Sequence, residues 1–475
     1  METERDYKEC SIMAIKPYKH QQDIMHTLVD TDEYILGWQV GAGKTLPMIL
    51  MIENIVKNSD RSRCLIVCPN SVLDNWKREI GIFAKDVHDK VVVLQGDKKK
   101  RQALLRDTDY QIFVINFEGV RILYEKLCEY DWDIMVVDEL HNCKSPASKQ
   151  SKAAYAVSKK AKLRFGLTGT MVLNNLLDVF QQFLVIDHGK TFGHNFYSFR
   201  ARYFYDINAN WRGKNKYYPK WVVRPESVDV IKTLMGTKMH VLLKEDCLDL
   251  PPQVFENRFC EMKGDQLRTY NSMEREMIAF LKENVTVATT ALTKILRLNQ
   301  ITSGHIINDD NDQISFENNA KLKLLMETVD SIGEEQAIVW TVFRHDVSSI
   351  MESLKGKGIT CVAFNGDTPR SDRQTIINDF NSGKYQIIVC NIQTGKEGIN
   401  LTAASHAIIY SMNYNLGNYL QALGRNHRGG CEIHKCITYI HLICKDTIDE
   451  IIFDAIQRKD DLQKSVMTFL TKQRA

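Results

Sequence analysis

Short, almost wholly apolar runs recur along the first third of the chain: Tyr34–Leu36, Cys64–Cys68, Ile112–Ile115, Ile134–Val137 and Arg164–Leu167. Each is too short for a helix and lacks regular polar alternation, which predicts strands covered on both faces, as in a parallel sheet. Helical patterns lie between them: one runs to about Val29, one follows Lys44, and one holds Trp76 and Glu79. From about Phe180 to Leu250 the pattern is irregular, and Leu250-Pro251-Pro252 breaks the chain. Two helical patterns follow, about Asp265–Lys282 and Val285–Ile301, and then a polar loop at Asn308–Gln313. From about Ala320 a second strand–helix rhythm begins, with apolar runs at Ala337–Val342, Thr360–Phe364, Gln386–Cys390 and Ala407–Tyr410. The prediction is an α/β protein with two parallel-sheet lobes and a helical insertion between them, divided at 1–235, 236–304 and 305–475.

Composition changes this picture little. At 475 residues the chain exceeds one core, in keeping with two or three domains. With 44% hydrophobic and 25% charged residues it reads as a soluble globular protein. A net charge of +3 argues against a wholly basic surface and leaves room for a local basic groove. The start, METERDYKEC, is charged and unlike a signal peptide, and no apolar run approaches membrane-spanning length. The expectation is a cytoplasmic protein without a membrane partner. The twelve cysteines are scattered, several inside apolar runs, and reduced thiols are expected. The one dense patch is Cys431, His434, Cys436, His441 and Cys444. Its alternation reads as a strand, which sends neighbouring side chains to opposite faces and disfavours a zinc site.

Candidate chemistry begins after the first apolar run. Gly41-Ala42-Gly43-Lys44-Thr45 stands between a strand and an apolar helix, the order a phosphate cradle requires. Glycines let backbone N–H groups approach phosphate oxygens, and the helix start adds unpaired N–H groups. Lys44 would reach the β- and γ-phosphates of ATP, and Thr45 would offer its hydroxyl to Mg²⁺. Trp38 occupies the place of the pattern's first glycine, with Gly37 just outside. Upstream, Gln21 can read an adenine edge, because its amide donates and accepts at once; a surface glutamine fits equally.

The run Ile134–Val137 ends in Asp138-Glu139-Leu140-His141, an acidic pair where ligands bind in open α/β sheets. Asp138 would hold Mg²⁺ through water, and Glu139 would orient or deprotonate the attacking water. Thr168-Gly169-Thr170 stands beyond another strand end, where hydroxyls can link a nucleotide site to a neighbouring lobe. Lys98-Lys99-Lys100-Arg101 reads as a solvated loop. Trp211–Arg224 interleaves basic and aromatic residues, which suits phosphate contact with stacking and equally a packed hairpin. In the second lobe, Gln421, Arg425 and Arg428 fall at i, i+4 and i+7, predicting one helical face whose two guanidiniums stabilise charge developing on a γ-phosphate.

Together these ordered motifs resemble helicase superfamily 2 and, within it, the Swi/Snf-type ATPases. GAGKT (41–45) matches the first motif, PNSVLDNWKREI (69–80) the next, and DELH (138–141) with NCKSPASKQSKA the second. LTGTMVLNNLLDVFQQF (167–183) resembles the third. AIVWTVF, FNGDTPRSDRQTIINDFN and TGKEGINLTAASHAIIY resemble the second-lobe motifs, and QALGRNHRGG the sixth. Departures are Met171 for a proline, Leu173 for a glutamine, Asn413-Tyr414-Asn415 for Trp-Asn-Pro, and Val241-Leu242 for a basic pair. The resemblance implies two RecA-like lobes that clamp ATP with Mg²⁺ and move along double-stranded DNA without separating its strands. It implies nucleic-acid contacts at Thr394, Gly395 and Lys396 and in the loop near Asn116. Lobe closure on ATP and reopening after hydrolysis would ratchet the lobes along phosphates, independent of base sequence. A strand-separating helicase and an ATP-binding clamp with little hydrolysis are the alternatives. The compactness is similar to bacterial and phage members, so a bacterial or phage-infected cytoplasm is expected, or a nucleus in a eukaryote. A separate protein partner is expected to supply targeting.

Overall fold

The computed structural model describes residues 17–169, 176–209, 219–243, 247, 249–283, 288–307, 313–394 and 399–459. They form two compact units, one from residues up to 207 together with 220–247, the other from 208–209, 219 and the described residues from 249 onward.

The first unit contains strands β1 (Glu33–Trp38), β2 (Cys64–Cys68), β3 (Val91–Val93), β4 (Ile112–Asn116), β5 (Trp132–Asp138), β6 (Ala161–Leu167), β7 (Phe204–Asp206), β8 (Trp221–Val223) and β9 (Met239–Leu242). Seven of these form one parallel sheet in the order β3-β4-β2-β5-β6-β1-β9. Every residue of β1 and β2 is buried, because helices cover both faces. On one face Leu36, Ile66, Val114, Val136 and Phe165 pack with α1 (Lys19–Val29), α2 (Thr45–Lys57) and α3 (Leu73–Phe83). On the other, Ile35, Val67, Phe113, Met135 and Val137 pack with Val120, Leu123, Ala153 and Val157. Each large side chain so covered contributes about 1.5–3 kcal/mol relative to exposure.

The stretch read as a loop at Lys98–Arg101 is instead the start of α4 (Lys98–Arg106). The Asp97 carboxylate accepts the Lys100 N–H at 2.8 Å, which caps the first turn, and Leu105 anchors the helix in the core. α5 (Phe117–Leu127) and α6 (Lys149–Ser158) follow as the helices of the second face. The irregular region beyond 180 holds α7 (Val179–Asp187), α8 (Phe196–Tyr203) and α9 (Ser227–Gly236). β7 and β8 pair antiparallel, so the described part of the basic–aromatic stretch is one arm of a hairpin; Trp211 to Tyr218 lie outside the described residues.

The second unit repeats the architecture with β10 (Gln253–Cys260), β11 (His305–Ile307), β12 (Gln313–Ser315), β13 (Ala337–Thr341), β14 (Cys361–Phe364), β15 (Ile387–Asn391), β16 (His406–Ile409) and β17 (Ile437–Cys444). Its parallel sheet has the order β10-β17-β16-β13-β15-β14. Val339, Val389 and Ile408 face α12 (Ala320–Ile332) and α13 (Arg344–Gly356), while Ile338, Trp340 and Ile409 pack on the other side. The two helical patterns before it are α10 (Gly264–Glu283) and α11 (Ala288–Ser303), and Leu298 and Ile301 of α11 enter this unit's core. α14 (Arg370–Asn381) and α15 (Leu416–Leu423) follow in the same unit. β10 was not legible as a strand: it is an edge strand with Val254, Phe255 and Phe259 largely exposed, so no buried run marks it.

Candidate functional site

The carboxyl ends of β1, β5 and β6 lie side by side in the first sheet, so the loops after them share one edge. After β1 the chain turns through Gly41 and Gly43, both left-handed at φ 93° and 77°. Only glycine takes these angles without strain. At Gly43 there is a second reason, since a Cβ would stand 2.3 Å from the Gln21 amide nitrogen. No side chain caps the start of α2. Positive-φ glycines leading into an uncapped helix start fit a phosphate group. The Lys44 ammonium donates to the Trp38 carbonyl at 3.0 Å, folded back along its own loop. Trp38, in the first-glycine position, is fully buried and donates its indole N–H to His240 Nδ1 at 2.7 Å. The missing glycine is thus a packing residue that ties β1 to β9.

Gln21 is not a surface residue: it is 4% exposed. Its amide nitrogen donates to the Gly43 carbonyl at 2.9 Å, and its oxygen accepts the Tyr18 N–H at 2.8 Å. Its neighbour His20 donates to the Ala42 carbonyl at 3.0 Å, and desolvation lowers its pKa. Both side chains of α1 therefore hold the backbone of the glycine loop.

At the end of β5, Asp138 Oδ1 accepts the Glu139 N–H at 2.9 Å and Oδ2 accepts the Trp76 indole N–H at 3.0 Å. Glu139 is left-handed at φ 52°, which turns its N–H back onto the preceding carboxylate. Desolvation and the neighbouring Glu139 charge raise the Asp138 pKa to about 6, partly offset by Trp76 and Lys44. The Glu139 carboxylate meets His141 Nδ1 at 3.2 Å, and the same ring atom lies 3.5 Å from the Thr168 hydroxyl. His141 thereby spans the acidic pair and the loop after β6. The Thr45 hydroxyl and the Asp138 carboxylate are hard oxygen donors of the kind Mg²⁺ takes. Thr170 lies outside the described residues.

In the second unit the structure corrects one expectation. α15 ends at Leu423, so Gln421 is helical while Arg425 and Arg428 follow in the turns beyond it, and the three share no helical face. Gly424 ends the helix. The loop after it is held by its flanks: the Tyr439 hydroxyl donates to the Leu423 carbonyl at 2.7 Å and Asn426 to the Ala404 carbonyl at 3.2 Å. His427 donates to the Pro251 carbonyl at 2.9 Å, and the Arg425 carbonyl accepts the Leu401 N–H at 3.0 Å. Arg425 is buried at 6% exposure.

The expected nucleic-acid residues are engaged within the fold. The Asn116 carbonyl oxygen of the side chain caps α5 through the Gly119 N–H at 2.8 Å, and its amide nitrogen donates to Asn70 at 3.0 Å. Thr394 is 8% exposed and its hydroxyl donates to the Asn391 carbonyl at 2.6 Å, so the side chain locks a turn. Gly395 and Lys396 lie outside the described residues. The Cys431–Cys444 patch disperses: His434 reaches the Thr402 carbonyl, His441 the Tyr419 hydroxyl, and Cys444 faces Cys260. Sequence reasoning missed the roles of Trp76, His20, His141, Asn426 and His427. For Trp76 a signal existed, since a lone tryptophan in a helix beside a sheet edge needs an acceptor for its N–H.

A family model described as the SNF2-related domain matches residues 20–305, more than half of the chain. This chain belongs to the SNF2-related family. A second model, the helicase conserved C-terminal domain, matches residues 320–430. Among relatives, an ATP-dependent helicase of Mycoplasma genitalium is 26% identical over 91% of this chain and 40% of its own length. Protein p41 of Acyrthosiphon pisum secondary endosymbiont phage 1 is 23% identical over 94% of this chain and 96% of its own. This SNF2-related chain thus spans less than half of the Mycoplasma relative and nearly all of the phage one. A solved Sulfolobus solfataricus SWI2/SNF2 ATPase core in complex with double-stranded DNA is similar at 21% identity and a TM-score of 0.44, covering 96% of this chain and 95% of that one. The chain thus carries an SNF2-related domain followed by a helicase conserved C-terminal domain. Among the described residues no helix is long and apolar enough to cross a membrane.

Proposed function

We propose that this protein is a DNA-stimulated ATPase that moves along double-stranded DNA. The observation that carries the reading is the meeting of the Gly41–Thr45 loop with Asp138 and Glu139 on one edge of a parallel sheet, in an SNF2-related chain. Lys44, released from the Trp38 carbonyl, binds the β- and γ-phosphates. Gly41, Ala42 and Gly43 cradle them, and Gln21 holds the loop in register. Thr45 and Asp138 would hold Mg²⁺, which would supply positive charge against the charge developing on the phosphates. Glu139, presented by its left-handed backbone, orients the attacking water and takes its proton. Gln421, Arg425 and Arg428 are assigned to the γ-phosphate by motif position, and the flanking hydrogen bonds hold the loop that carries the two arginines. The loops near Asn116 and at 394–396 are assigned to DNA phosphates, and a partner protein to targeting.

The test is ATP turnover with no nucleic acid, duplex DNA, single-stranded DNA and RNA, with Lys44→Ala as the blank. Stimulation by duplex DNA that the variant lacks, followed by displacement of a triplex strand without unwinding of a duplex, is the expected result. Stimulation by single strands or RNA alone would replace the translocase with an unwinding helicase. Absence of turnover on every substrate would leave a nucleotide-binding clamp.

A further inference from the structure

Trp76 is 1% exposed, in the middle of α3, among side chains that also include Leu73, Ile80 and Ile66. A ring so enclosed has one rotamer, and its N–H points wherever that rotamer sends it. It points at Asp138 Oδ2, 3.0 Å away and 62 residues along the chain. Asp138 Oδ1 is held separately by the Glu139 N–H at 2.9 Å. Both donors are N–H groups that cannot reverse and accept, so both carboxylate oxygens are addressed as acceptors. Two bonds to different oxygens also fix the plane of the carboxylate. One lone-pair direction on each oxygen is left for a further partner. A residue that holds a metal ligand in this way governs affinity without touching the metal.

We infer that Trp76 is a positioning residue for the cation-holding carboxylate Asp138, acting through its indole N–H. The inference rests on the proposed role of Asp138 at the nucleotide. It predicts that the indole N–H matters to the divalent cation and little to the nucleotide alone. The ring itself matters to packing, and the two contributions separate by substitution.

The experiment uses the full chain with Trp76→Phe, which keeps a large ring and removes the donor. Leu73→Ala serves as the packing control, since it loosens the same helix and leaves the N–H in place. Mn²⁺ binding is followed by the electron paramagnetic resonance signal of free Mn²⁺ in the presence of a non-hydrolysable ATP analogue. Nucleotide affinity is measured separately in chelator. The expected result is a Mn²⁺ dissociation constant raised about tenfold in Trp76→Phe, with nucleotide affinity in chelator unchanged. Leu73→Ala should melt lower and bind Mn²⁺ as the unsubstituted protein does. Wild-type Mn²⁺ affinity in Trp76→Phe would overturn the positioning role and leave the ATPase reading standing. An equal loss of Mn²⁺ affinity in both variants would also overturn it, as packing alone would then account for the effect. Failure of the unsubstituted protein to bind nucleotide with Mn²⁺ would remove the ATPase reading and this inference with it.

Discussion

At the amino end of β1, Glu33 is 2% exposed and meets three cations: Arg164 at 2.6 Å, Lys190 at 2.5 Å and Lys238 at 3.1 Å. At the carboxyl end of β5, Asp138 is partly open and receives two N–H donors, with no cation at salt-bridge distance among the described residues. Burial pushes the Glu33 pKa up, but the hydrogen bonds from Lys190 and Lys238 prevail and hold it below the ordinary glutamate value. Desolvation and Glu139 push Asp138 up to about 6. The same sheet thus carries an over-compensated carboxylate at one end and an under-compensated one at the other. An acid whose charge is fully answered by the fold is a structural element. An acid left short of positive charge beside a glycine loop fits the cation-holding role proposed for Asp138.

The comparison breaks most sharply under substitution at the carboxyl end. Lys44→Ala should lower ATP turnover by about a hundredfold or more, the scale for removing one preorganised donor from developing charge. The melting temperature should barely move, because the carbonyls Lys44 bonds, Trp38 and Gln39, stand at the start of its own loop. Steady-state turnover and thermal melting on the same preparation check this. A melting point that fell with the activity would make Lys44 structural and erase the contrast.

The amino end should behave in reverse. Glu33→Gln leaves Arg164, Lys190 and Lys238 facing one another without the shared anion. The cost should be about 3 kcal/mol, the scale for breaking a buried ion pair. Arg164 retains the Ile186 and Ala161 carbonyls, which limits the loss. Urea unfolding measures the change, and turnover per folded molecule should stay at the unsubstituted level.

Asp138→Asn sharpens the contrast from the other side. It removes the under-compensated charge, but its single amide oxygen can accept from only one of Trp76 and Glu139, and the other N–H is left facing an amide nitrogen. The two effects oppose, so stability should change by no more than about 1 kcal/mol while cation-dependent turnover is lost. Unfolding in chelator gives the stability term by itself. A fall of about 3 kcal/mol or more, beyond what one lost acceptor explains, would mean that the carboxylate is already compensated in the folded protein.

Much of this was legible in the residues. The apolar runs located the central strands of both sheets, because parallel strands covered on both faces read as near-continuous apolar runs. Edge strands β3, β9 and β10 escaped: β3 is only three residues long, and β9 and β10 have mixed sequences. The glycine loop and Asp138-Glu139 could be read because backbone geometry and charge are properties of residue type. The fate of Gln21, Thr394 and Asn116 could not, because one amide or hydroxyl serves equally well as a ligand contact and as a cap. Arg425 and Arg428 were placed on a helix by spacing alone, and Gly424 ends that helix one turn too early for the spacing to matter. Glu33 itself carried no signal: its three partners come from Arg164, Lys190 and Lys238, far apart in sequence and brought together only by the fold.

The smallest predicted effect is a pH dependence at Glu33. Its folded-state pKa lies below the ordinary value of 4.5, so the unfolded chain takes up the proton first as the solution is acidified. The stabilisation is therefore fully present above about pH 5 and is lost as the pH falls through 4.5 toward the folded-state value. A glutamine at this position binds no proton in either state and contributes no such slope. The urea midpoint of Glu33→Gln should accordingly lie well below that of the unsubstituted protein at pH 7, and the gap should narrow steadily from pH 5 to pH 3. A gap that stayed constant over that interval would mean that Glu33 carries the same proton affinity folded and unfolded, which three cations around one buried carboxylate do not allow.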